Sequence, residues 1–114
     1  MIASIIRGIL AKKGHEIVCI DLSQVENAIC YYFVVCHGDS NTQVNAIAES
    51  VEKETIEQLH LCPCSIEGTN NGEWVLLDYG EIIVHVFQKP FRARYKLEEL
   101  WGDGQIAHIS ESNS

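Results

Sequence analysis

Asp78, Glu81 and His85 fall within residues 72–87 (GEWVLLDYGEIIVHVF), a stretch made mostly of sheet-forming types. A buried charge is costly unless it is paired, so three such groups in one apolar ribbon call for a role. Their chemistry allows acid–base catalysis, metal ligation, or polar recognition on a face that another molecule covers. A second group is Gly38-Asp39-Ser40, at the start of a helical pattern, where backbone amides could receive a phosphate. A nucleotidyltransferase would also need two or three carboxylates around a divalent metal. Asp78 and Glu81 do not form a strand-borne Asp-x-Asp pair, and few Lys or Arg are at hand to meet a triphosphate. A third group is His60, Cys62 and Cys64, with Cys36-His37 as candidate additions. Its His-x-Cys-x-Cys spacing matches none of the usual zinc pairings, and Pro63 stiffens it. Recognition is the reading these residues favour, with no catalysis, no metal and no cofactor.

Charge narrows the partner. Sixteen acidic residues against eight basic ones leave a net charge of −8. Nucleic-acid binding through phosphates draws most of its affinity from a basic surface, which this chain lacks. Basic proteins suit it better, and DNA is not expected as a partner. Half of the basic residues crowd into Lys89, Arg92, Arg94 and Lys96, leaving room for a minor contact with RNA phosphates. No apolar run reaches the roughly 20 residues that span a bilayer. The apolar start MIASIIRGIL lacks the pattern of an export leader, so a cytoplasmic protein is expected. Cys19, Cys30 and Cys36 sit in apolar runs and read as small buried hydrophobes.

The elements that must position these groups follow from periodicity. A length of 114 residues with 46% hydrophobic content fits one domain, with a polar tail from about residue 110. Ile2, Ile5, Ile6, Ile9 and Leu10 form one helical stripe that Gly14 can end. Strands are predicted over residues 16–21 and 31–36, both apolar enough to be covered on two faces. After a turn at His37-Gly38-Asp39, Ser40 and Gln43 form a capping box for a helix reaching Leu59. A short strand at residues 65–67 and a Gly/Asn-rich turn lead into the ribbon, and Pro90 opens a last helix. The fold class is therefore α/β: a small mixed sheet of about five strands with helices packed against it.

A two-residue loop at Tyr79-Gly80 would make residues 72–87 a β-hairpin, placing Asp78 opposite Glu81, Leu76 opposite Ile83 and Trp74 opposite His85. Alternation then gives one wholly apolar face, Val75, Leu77, Ile82, Val84 and Val86. The other face carries Trp74, Leu76, Asp78, Glu81, Ile83, His85 and Phe87, large apolar groups rimmed by charge, as interaction patches are. His85 is either a packed neutral imidazole or a ligand or pH switch.

Residues 72–87, together with Arg92 and Tyr95-Lys-Leu-Glu-Glu-Leu-Trp101, closely resemble the ribosomal silencing factor family, RsfS or Iojap-like. Asp21-Leu22, Tyr32-Phe33-Val34-Val35, Gly38-Asp39-Ser40, Val44-Asn45-Ala46-Ile47-Ala48 and Glu67-Gly68 extend the match over most of the chain. The sequence departs from the family's usual pattern at Tyr31, at Arg94 and at Cys64-Ser65. The resemblance implies a nucleotidyltransferase-like topology without established catalysis. It implies binding to the fourteenth protein of the large ribosomal subunit, which blocks joining of the small subunit and lowers translation when nutrients are short. It also implies a homodimer when the protein is free. Trp74 would be the apolar anchor, with Leu76 beside it and Asp78 and Glu81 accepting from Lys or Arg of the partner. Tyr79, His85, Tyr95, Glu98 and Trp101 join the set by match.

Overall fold

Close helix packing begins at Gly8, where a side chain would meet the backbone of Val51 at 2.7 Å. That approach joins α1 (Ile2–Ala11) to α2 (Asn41–Leu59), and the Ser50 hydroxyl donates to the Gly8 carbonyl at 2.7 Å. The computed structural model describes residues 1–96 and 105–109. Lys13, not Gly14, takes the left-handed conformation (φ 60°) after α1. The Gly14 amide donates to the Ile9 carbonyl at 3.0 Å, and a Cβ there would lie 2.3 Å from the Ile9 side chain. Gly14 thus ends the helix by its small size.

The sheet has six strands: β1 (His15–Asp21), β2 (Tyr32–Gly38), β3 (Ser65–Glu67), β4 (Trp74–Asp78), β5 (Ile82–Gln88) and β6 (Gln105–His108). Their order is β3-β4-β5-β2-β1-β6, and β2 and β5 run parallel while the remaining pairs are antiparallel. The chain is α/β as expected, with one strand more than the sequence suggests. β6 escapes a reading by pattern because all four of its residues are exposed; it is held by pairing with β1 and not by burying a face. β2 is buried at six of its seven positions, as a central strand covered on both sides must be. It also runs on through His37 and Gly38, which pair with Phe87 and Gln88, so the expected turn starts two residues later, at Asp39.

Ser40 caps α2 by accepting the Gln43 amide at 3.1 Å. The reciprocal bond of the capping box is displaced by one residue: the Gln43 side-chain oxygen accepts from the Asp39 amide at 2.6 Å. Its amide nitrogen meanwhile donates to the carbonyls of Lys12 and Lys13, tying the end of α1 to the start of α2. Together the two helices cover the first sheet face. There Ile5, Ile9, Val44, Ile47 and Val51 pack on Ile17, Val34, Cys36, Val75, Leu77, Val84 and Val86.

The second face has a different cover. Val18, Ile20, Phe33, Val35, Ile83 and Phe87 form its buried layer, closed in part by Leu22 and Cys30 of the β1–β2 connection. Val25 and Ala28 of that connection, and Phe91 of α3 (Lys89–Tyr95), pack against it as well. Pro90 stands in the first turn of α3, as expected.

Candidate functional site

The β4–β5 register differs from the expected one. Trp74 pairs with Phe87, Leu76 with His85 and Asp78 with Ile83. Gly80 and Glu81, not Tyr79 and Gly80, form the loop, closed by the Tyr79 amide donating to the Ile82 carbonyl at 2.9 Å. The reason is Gly80, whose φ of +85° suits the first central position of a hairpin turn. Asp78 accepts the Gly80 amide at 2.7 Å and stabilises the same turn. The slip is two positions, an even number, so every strand side chain keeps its expected face. Asp78 and Glu81 are consequently not opposite each other; Asp78 faces Ile83.

The slip moves Tyr79 inward. It is buried in the first core, and its hydroxyl lies 2.9 Å from that of Thr55. Thr55 spends its own proton on the Glu52 carbonyl, so Tyr79 is the donor. Tyr79 is therefore a core residue, a correction to its place among the contact candidates.

His85 is also withdrawn from the surface, at 4% exposure. The Trp74 indole N–H donates to its Nδ1 at 3.1 Å, which assigns the ring proton of the neutral imidazole to Nε2. Burial pushes its pKa down from 6.5 to about 4, so it is neutral at pH 7. Phe33 packs edge-on against it at 4.5 Å. Nε2 is buried and has no hydrogen-bond partner. The packed-imidazole reading holds, and His85 acts here by receiving Trp74.

Trp74 belongs to an aromatic stack. Its ring lies 5.0 Å from Phe87 and 4.7 Å from Tyr95, which is 46% exposed. Trp74, Leu76 and Asp78 are half-buried along β4, and Glu81 is exposed at the turn. The second hairpin face is thus not open throughout. Its β5 row of Ile83, His85 and Phe87 is buried, while the β4 row, Tyr95 and Glu81 keep access to solvent. Glu98 and Trp101 lie outside the described residues. Sequence reasoning placed Phe87 on this face but left it out of the contact set, and it did not bring Phe33 of β2 to the site. The signal was present in Phe87, two residues beyond His85 and so on the same strand face.

The basic run divides. Arg92 turns inward, its guanidinium donating to His37 Nδ1 at 3.0 Å and to the His15 carbonyl at 3.4 Å. Burial, and then Arg92, lower the pKa of His37. Arg94 lies over the Phe91 ring at 5.3 Å, and Lys89 and Lys96 are exposed. The described residues contain no group of three or more His, Cys, Asp or Glu side chains that could hold a metal. All five cysteines are free thiols, with Cys62 and Cys64 exposed. No helix among the described residues is long and apolar enough to cross a membrane.

Residues 1–114 match the family described as "Ribosomal silencing factor during starvation". The chain belongs to the ribosomal silencing factor family. It is 41% identical over 98 residues to the "Ribosomal silencing factor RsfS" of Halalkalibacterium halodurans, covering 86% of this chain and 82% of that protein. It is 37% identical over 98 residues to the Bacillus subtilis protein of the same name, covering 86% and 81%. Among solved structures, a crystal structure of a Chromobacterium violaceum protein superposes with a TM-score of 0.81 at 31% identity, covering 97% of this chain and 92% of that one. The family name places the chain among ribosome-associated factors of translation regulation.

Proposed function

We propose that this chain represses translation without catalysis, by binding a basic protein of the large ribosomal subunit, the fourteenth in that subunit's numbering. Bound there, it blocks joining of the small subunit when nutrients are limited. The observation that carries the reading is the family match over the whole chain. The surplus of acidic residues supports a basic partner, and the half-exposed β4 row beside an exposed acidic turn supports the place. Trp74 and Leu76 supply apolar contact, with Tyr95 packed at a tilt against Trp74 extending it. Asp78 and Glu81 accept from Lys or Arg at the rim, where charge sets orientation and association rate more than affinity. Glu98 and Trp101 complete the contact set. His85 and Tyr79 serve from behind, one holding the Trp74 indole and the other holding the turn to α2. Lys89, Arg94 and Lys96 meet phosphates of neighbouring ribosomal RNA as a minor contact. The free protein is a homodimer in the cytoplasm.

The test is direct. The purified chain is expected to co-sediment with large subunits and not with small ones, and to slow subunit joining followed by light scattering. Unchanged joining at saturating protein would overturn the reading.

A further inference from the structure

The β1–β2 connection, residues 22–31, has no regular structure but is firmly anchored. The Leu22 amide donates to the Tyr31 carbonyl at 2.7 Å, and the side chains of Leu22 and Cys30 are buried. The amides of Tyr31 and Tyr32 both donate to the Glu81 carbonyl, at 2.9 and 3.1 Å, which fixes this connection to the β4–β5 turn. Between the two lies a cleft of about 350 Å³ lined by Leu22, Val25, Ala28, Ile29, Tyr31 and Glu81 among others. Its lips are the most exposed large apolar side chains of the described residues, Ile29 at 69% and Tyr31 at 56%. Anchored loops usually turn such groups inward; here the backbone is held so that they face solvent.

The surroundings carry one sign of charge. No Lys or Arg occurs in residues 14–52 or 54–88, so every charged residue of the connection and of the turn is acidic: Asp21, Glu26, Asp78 and Glu81. Ser23 donates to Asp21 from its amide at 2.9 Å and from its hydroxyl at 2.6 Å, favouring the ionised carboxylate. Asp78 accepts the amide of Gly80, a lining residue of the cleft, at 2.7 Å, which sets its carboxylate at the turn beside the cleft. Trp74, by contrast, stands at the far end of β4, next to α3.

We propose that this cleft docks an extended basic segment of a protein partner. One aliphatic side chain enters between Ile29 and Tyr31, and flanking Lys or Arg side chains meet Glu81, Asp78 and Glu26. Charge complementarity selects the occupant: an acidic or neutral segment would leave these carboxylates facing repulsion or nothing. The inference shares with the proposed function the sign of the partner's charge and the carboxylates Asp78 and Glu81, and it does not need Trp74.

The test is a titration of the 15N-labelled chain with the peptide acetyl-Lys-Lys-Leu-Lys-Lys-amide, followed by amide chemical shifts. Saturable shifts are expected at Ser23, Ile29, Tyr31, Gly80 and Glu81. The Ile29→Ser/Tyr31→Ser variant is expected to weaken binding by at least about tenfold, as is replacement of the peptide's Leu by Gly. Glu81→Lys, exposed at the loop, is expected to weaken it similarly and guards against a folding defect in the double variant. Shifts spread along α2 and away from the cleft, or equal affinity for the Gly peptide, would overturn the proposal. So would concentration-dependent self-association that the double variant abolishes, since a second copy would then be the occupant. Trp74→Ala is expected to retain peptide binding. If it does so while still binding large subunits as wild type does, the placement of the ribosomal contact at Trp74 fails and the cleft stands.

Discussion

The two faces of the sheet are built to different standards. Under α1 and α2 the first face is aliphatic, and its Tyr79 and Thr55 hydroxyls are satisfied by each other and by a helix carbonyl. The second face is aromatic and carries a buried histidine with one ring nitrogen unpaired. It is closed in patches by a loop and a seven-residue helix, and the β4 row stays half-exposed. A face that only had to be stable would resemble the first. The second gives up cover along β4, and that is where the proposed partner contact lies.

Neighbouring leucines on β4 offer the strongest way to break the comparison. Leu77 faces the helices and is fully buried, so Leu77→Ala is expected to cost about 2–5 kcal/mol in urea unfolding. Leu76 points the other way and is half-buried; Leu76→Ala is expected to cost well under half as much. Equal losses would mean that the two faces are equally closed.

A somewhat smaller effect is expected from pH. His85 has a folded pKa of about 4 against 6.5 when unfolded, so the unfolded chain binds the extra proton first as pH falls. Its contribution to stability is complete above pH 6.5, declines from there towards pH 4 and amounts to about 3 kcal/mol at most. His85→Asn keeps an acceptor for the Trp74 indole and is expected to flatten the stability profile over that window. His37, also lowered, should leave a residual slope of the same sign. An unchanged profile in His85→Asn would show that the second face is wetter than described.

The smallest expected effect lies at the helix cap. Ser40→Ala removes the acceptor of the Gln43 amide and should cost about 0.5–2 kcal/mol, with ribosome binding unchanged.

Much of this arrangement was legible from residue order alone. The stripe of α1, the apolar runs of β1 and β2, the Ser40 cap and the alternation of the hairpin all follow from local rules, and the structure keeps them. The hairpin register was not, because Asp78, Tyr79, Gly80 and Glu81 offer two adjacent loop positions and only the left-handed Gly80 selects between them. Nor was β6, whose exposed residues are ordered by β1 across a long sequence separation. The residue types of the site were readable in Trp74, Asp78 and Glu81. The burial of His85 was not, since Phe33 and the rest of its cover come from distant segments. Ile29 and Tyr31 look like ordinary core residues until the anchored connection turns them outward.

The central claim is that the half-exposed β4 row binds the large ribosomal subunit. Equilibrium binding of purified large subunits to Trp74→Ala/Asp78→Lys, with Tyr79→Phe as a buried control, tests it most directly. The account predicts a loss of at least about thirtyfold for the double variant, with a native circular dichroism spectrum, and wild-type affinity for Tyr79→Phe. A folded double variant that binds as tightly as the wild type would contradict it.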